Sequence, residues 1–108
     1  MDNLIEKFKT DKLLKYYIGQ LGDENKPDDF KIGDKVVGLY SIDGHILDKK
    51  FIPGQVGHID NIMHRYKGEP NEHHEFWVIT KMGRTRYEIS NIINYDKVEK
   101  FLETYSDS

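Results

Sequence analysis

Apolar residues change their spacing along this chain from helical to alternating and back to helical. Leu4, Ile5 and Phe8 form one apolar face behind Asn3 and Glu6, whose separation is that of an N-cap and its capping-box partner, so a helix is expected to begin here. Continued straight at about 100° per residue, that face points nearly opposite to Leu13, Leu14, Tyr17, Ile18 and Leu21. Two arrangements reconcile the faces. Either the helix breaks near Thr10 and Asp11, with Asp11 capping a second segment, or one face is covered by the rest of the domain and the other by a partner. Gly22 is a stop signal, which bounds the helical segment at residues 1–22.

Residues 23–29 are polar, contain Pro27 and read as a linker. A β section follows over residues 30–93. Val36, Val37, Leu39 and Ile42 predict a strand ended by Asp43-Gly44, and residues 45–51 an irregular loop. Val56 to Met63 predicts the next strand. Beyond a polar loop at Lys67 to Glu72, Phe76 to Thr80 and Arg84 to Ile89 predict a hairpin whose short turn contains Gly83. Ser90 to Ile93 reads as a tight turn. The final element, 94–105, is helical: Asp96 and Glu99 have capping-box spacing, and Val98, Phe101, Leu102 and Tyr105 share one face.

A chain of 108 residues has room for one domain with a modest core, so the terminal helices are expected to pack onto the β section. Cysteine is absent, which removes disulfide staples, thiolate zinc sites and cysteine catalysis and suits a reducing compartment. The longest apolar run, Phe76-Trp77-Val78-Ile79, is far short of the ~20 residues of a membrane helix, and the N-terminus lacks a basic region before an apolar stretch. The expectation is a soluble cytoplasmic protein with no membrane partner and no cofactor. Abundant Lys, Asn, Ile and Tyr suit an AT-rich bacterial or phage genome.

The stretch from Pro53 to Ile62, about twenty residues after Gly33-Asp34-Lys35-Val36-Val37, carries the spacing Gly54-x-x-Gly57-x-Ile59-x-x-Ile62. Over about residues 30–93 the chain resembles an SH3-like antiparallel small barrel, and this spacing is similar to the glycine pattern of KOW and Tudor-like domains. Glycines at a strand entry permit the positive φ or close backbone approach of a strongly bent sheet. The resemblance implies an α+β, mainly β fold and a module that binds proteins, RNA or DNA through loops and aromatic residues without catalysis. The 45–51 insertion and the two helical ends depart from that pattern.

Four sets of side chains are candidates for chemistry. Glu72-His73-His74-Glu75 with His64 offers imidazole and carboxylate ligands, but neighbours in an extended segment point to opposite sides, so His73 and His74 are not expected to share an ion. His58 and Asp60 share one strand face by period two, and a His and an Asp can orient a general base, while Glu88 lies on a strand expected to be some distance away. Ser41 and Ser90 read as turn residues rather than nucleophiles, so no catalytic residue is assigned. Lys81, Arg84, Arg86 and Tyr87, with Tyr40 and Tyr66, offer forked donors and stacking rings to nucleic acid, against a net charge of −3 that disfavours indiscriminate phosphate binding. Leu4, Ile5, Phe8 and Trp77 are the protein-binding candidates. Trp77 and Ile79 alternate with Phe76 and Val78, so both strand faces are apolar; the C-terminal helix is the expected cover for one of them, with the N-terminal helix a second candidate, and if neither covers it Trp77 becomes a hot spot. The expected function is noncatalytic protein binding, as an adaptor, inhibitor or modulator of a larger assembly; the alternative is RNA or DNA binding.

Overall fold

A computed structural model describes residues 4–42 and 52–106. The cap expected from Asn3, the Asp43-Gly44 strand end and the 45–51 loop lie outside the described residues. The elements run α1 (Leu4–Thr10), α2 (Lys12–Gly22), β1 (Lys35–Gly38), β2 (Gln55–Arg65), β3 (His73–Thr80), β4 (Gly83–Glu88), β5 (Ile92–Asn94) and α3 (Tyr95–Ser106). The fold is α+β, with one five-stranded sheet in the order β4-β3-β2-β1-β5 whose paired strands are all antiparallel.

Of the two arrangements open for the N-terminus, the chain adopts the break. Asp11 separates α1 from α2 and accepts a 3.0 Å hydrogen bond from the Leu14 amide, satisfying one orphan donor of the second helix. The change of direction turns part of each apolar face inward. Leu4 and Phe8 of α1 and Leu14 and Ile18 of α2 join Val37, Leu39, Ile93, Val98 and Leu102 in one buried cluster. Gly54 permits the close approach of α1: its φ is +101°, and a Cβ there would stand 2.8 Å from the Ile5 amide nitrogen.

A second cluster lies on the other side of the sheet and contains Phe30, Val36, Ile59, Phe76, Val78, Tyr87 and Ile92. Phe30 packs edge-on against Phe76 with ring centres 5.1 Å apart. The short strands β1 and β5 are therefore buried on both faces, with Val36 and Ile92 in one cluster and Val37 and Ile93 in the other. The linker is tied to this region by Asn25, whose amide donates to the carbonyls of Ile89 at 2.8 Å and Ile92 at 2.6 Å.

Among the described residues the sheet is not closed into the small barrel expected from the glycine pattern. The sheet curls, and past β1 the chain meets the edge strand β4 at an isolated bridge between Ser41 and Tyr87, with the Ile42 amide 2.7 Å from the Arg86 carbonyl. One bridge does not make a ladder, so the sheet remains open. Gly38 makes this crossing feasible, because the Tyr87 ring lies against its Cα and a Cβ there would come within 2.5 Å of the phenol.

Two smaller differences follow from local pairing. Ile92 and Ile93 form β5, not a turn, since they complete a ladder with β1 after a 3₁₀ turn at Ile89–Asn91. Helix α3 starts at Tyr95 directly after β5, which places Asp96 inside the first turn, where its charge favours the helix dipole, and not at the cap.

Candidate functional site

The outer face of β2, β3 and β4 is organised around Trp77. Cross-strand register sets Trp77 between Asn61 and Arg86, with Ile79 between His58 and Arg84 and Glu75 between Met63 and Glu88. Among the described residues no helix covers Trp77. Because α3 follows β5 without a linker, it lies over β5 and β1, at the opposite end of the strand order from β3 and β4. Two arginines take the place of the expected helical cover: the Arg84 guanidinium lies 4.1 Å and that of Arg86 5.5 Å from the indole centre. The indole N–H points to the Met63 sulfur at 3.2 Å.

Those arginines are also bound to carboxylates. Arg84 Nε donates to Asp60 at 2.7 Å, and Asp60 is the extra residue of a bulge between Ile59 and Asn61. Glu75, only 6% exposed, accepts from Arg65 at 3.1 Å, Arg86 at 3.3 Å and the His73 ring at 2.9 Å. Burial pushes its carboxyl up, but the bonds from His73 and Arg65 and the two guanidinium charges outweigh burial and hold it below the usual range. This side of the sheet is a network of alternating charge, not a basic patch.

The nucleic-acid candidates divide accordingly. Lys81 is exposed in the two-residue turn between Thr80 and Gly83, and Arg84 is exposed but paired. Arg86 is held by Glu75. Tyr87 is fully buried in the second cluster, and burial pushes its hydroxyl up to about 12, so its ring is not presented for stacking on a base. Tyr40 and Tyr66 are exposed, the first shortly after β1 and the second directly after β2.

Of the protein-binding candidates, Leu4 and Phe8 are each 3% exposed and belong to the protein's own core. The break at Asp11 is what redirects them. Ile5 is half-buried beside Gly54, and Trp77 is half-buried beneath its arginines.

A surface that the sequence did not single out lies on α2. Leu13, Tyr16 and Tyr17 are 54%, 60% and 37% exposed. The Tyr17 ring centre lies 6.2 Å from Phe101 and 6.4 Å from Tyr105 of α3, and Tyr16 lies 5.8 Å from Tyr17, so the rings form one continuous aromatic face across both helices. The signal was the width of the apolar stripe from Leu13 to Leu21, which exceeds what one buried helix face can hold; only Leu14 and Ile18 are fully turned in.

The histidines separate by strand face. His73 bonds to Glu75 and to the Asn71 carbonyl, while His74, its neighbour, stacks on His64 with ring centres 4.2 Å apart. His64 is hydrogen-bonded to Glu72, whose carboxyl is held low chiefly by that bond. Among the described residues no group of three or more His, Cys, Asp or Glu side chains is arranged to hold a metal ion. His58 is exposed, and Asp60 bonds to Arg84 and does not orient it.

No helix among the described residues is long and apolar enough to cross a membrane. No protein-family model, curated protein or solved structure significantly matches the chain.

Proposed function

We propose that this chain is a noncatalytic protein-binding module, acting as an adaptor, inhibitor or modulator of a larger assembly in the cytoplasm. The observation that carries the reading is the exposed aromatic face of α2, where Leu13, Tyr16 and Tyr17 run into the Phe101 and Tyr105 rings of α3. Tyrosines of this kind give large contact area for the loss of little side-chain freedom, and such clusters are where interface energy concentrates. The rest of the molecule is consistent in one further respect. Arg84 and Arg86 are engaged by Asp60 and Glu75, which leaves the hairpin with little free charge for phosphate. The curled sheet and its bridge from Ser41 to Tyr87 support reading the β section as an opened relative of the SH3-like barrel.

The test is affinity capture from the native cell with and without nuclease, using the wild-type chain and a Leu13→Asp/Tyr17→Ala variant. A protein retained after nuclease by the wild type, and lost by the variant with an unchanged circular-dichroism spectrum, supports the reading. Recovery of nucleic acid alone replaces it with the nucleic-acid alternative.

A further inference from the structure

We infer that the cleft between α1, α2 and the Leu39-Tyr40 segment is the docking site for an acidic, amphipathic peptide segment of a partner protein. The inference rests on the protein-binding reading above and names the chemistry of that partner. The cleft encloses about 680 Å³, within the range of sites that bury a ligand's side chains. Its floor is apolar and is supplied by Ile5, Phe8 and Leu39. Tyr16 and Tyr40, both more than half exposed, stand at its sides.

Charge decides what would enter. The chain as a whole carries −3, yet among the described residues the cleft is lined by Lys9, Lys12 and Lys15 against one carboxylate, Asp23. Among the described residues none of these lysines is locked in place by a buried partner. Lys9 lies 3.8 Å from Glu6 in a pair exposed on both members, an interaction weak enough to exchange, and the Lys15 ammonium sits 4.7 Å over the Tyr40 ring. A peptide that places apolar side chains on the floor and carboxylates toward the lysines satisfies both halves of the lining. A single strand of nucleic acid is the poorer match, because it needs cations that track its backbone over several nucleotides, whereas these three lysines border an apolar floor of Ile5, Phe8 and Leu39.

The experiment selects a displayed library of random short peptides on the intact protein, then compares binding of the selected peptides to wild type and to Lys12→Glu/Lys15→Glu. Lys12 is the first residue of α2 and Lys15 lies in its first turn, where a carboxylate favours the helix dipole, so the double variant retains the fold and its thermal melt confirms this. The expected peptides combine Asp or Glu with Leu, Phe or Trp, weaken with added salt, and lose about tenfold or more in affinity on the double reversal. Failure to enrich any peptide, enrichment of peptides without acidic residues, or equal binding to the variant overturns the inference. Oligo-dT that binds at low salt and is lost on the same reversal also overturns it, assigning the cleft to single strands. Nuclease-resistant capture through Leu13 and Tyr17 that the lysine reversals leave intact rejects the cleft alone. Absence of any captured cell protein rejects the broader reading, and acidic peptides that still bind would leave the cleft assignment standing.

Discussion

Tyr105, near the end of the last helix, donates a 2.8 Å hydrogen bond to Asp11, the residue that breaks the first helical segment, across 94 positions of sequence. The same carboxylate caps α2 through its other oxygen. The two bonds, the cap first, hold the Asp11 carboxyl below its ordinary value. One side chain thus sets the angle between α1 and α2 and fastens both to α3. Asp11→Ala is expected to lower the melting temperature by about 4–8 °C, and Asp11→Asn, which keeps an acceptor, by less. Thermal melts of the pair at neutral pH check the order.

The contrast between inward and outward apolar positions gives a second expectation. Leu4→Asp and Phe8→Asp introduce an unpaired charge into the core and are expected to leave the chain unfolded, whereas Leu13→Asp keeps the fold because Leu13 is 54% exposed. Far-UV circular dichroism of the three variants separates these outcomes. A folded Leu4→Asp together with an unfolded Leu13→Asp would contradict the described packing of α1 and α2.

Glu75 gathers Arg65, Arg86 and His73 beside Trp77, the chain's single tryptophan. Glu75→Ala leaves those groups without their shared acceptor and is expected to cost about 1–3 kcal/mol, the partners being partly solvated. Intrinsic tryptophan fluorescence should change with it, because Arg86 is released from its position near the indole. Denaturant titration and an emission spectrum of the native variant measure both.

The Tyr87 hydroxyl is buried with no hydrogen-bond partner among the described residues. Tyr87→Phe is expected to raise stability by about 1 kcal/mol, since it removes a desolvated polar atom without changing the ring. Gly38→Ala, in contrast, forces a methyl group against that ring and is expected to destabilise. Urea midpoints of the two variants should move in opposite directions.

The adjacent histidines have opposite pH signatures. His73 is held above its ordinary value by its bonds to the Asn71 carbonyl and Glu75, so its stabilisation is complete below about 6.5 and is lost as pH rises through its folded value. His74 is held low, chiefly by burial and then by the charge of His64, so its contribution is present above about 6.5 and lost as pH falls. In the wild type the two act in opposite directions. Melts between pH 6 and pH 8 (roughly the range where imidazole titrates) should therefore slope upward with pH in His73→Gln and downward in His74→Gln.

What could be read in advance depended on range. The Asp11 cap, the hairpin around Gly83 and the inward face of Val98 and Leu102 are local patterns, and each is visible in a few consecutive turns or strand residues. The strand β5 has no local signature, because Ile92 and Ile93 form a strand by pairing with β1, some fifty-five positions earlier. The cover of Trp77 is nonlocal in the same way: Arg84 and Arg86 reach it through cross-strand register, and Asp60 meets Arg84 where a bulge interrupts the alternation of β2. Leu4 and Phe8 looked like a partner-facing stripe on a straight helix, and they become core once the chain turns at Asp11. The exposure of Tyr16 and Tyr17 followed from where α3 docks, which no local pattern specifies.

Val36 and Val37 are consecutive residues whose side chains enter different apolar clusters on opposite faces of β1. A layer that melts must therefore withdraw support from the strand on which the other layer rests. The helical layer and the curled sheet should accordingly lose structure in one transition, seen alike by far-UV dichroism and tryptophan emission, and the amide protons of β1 should be among the last in the molecule to exchange with solvent.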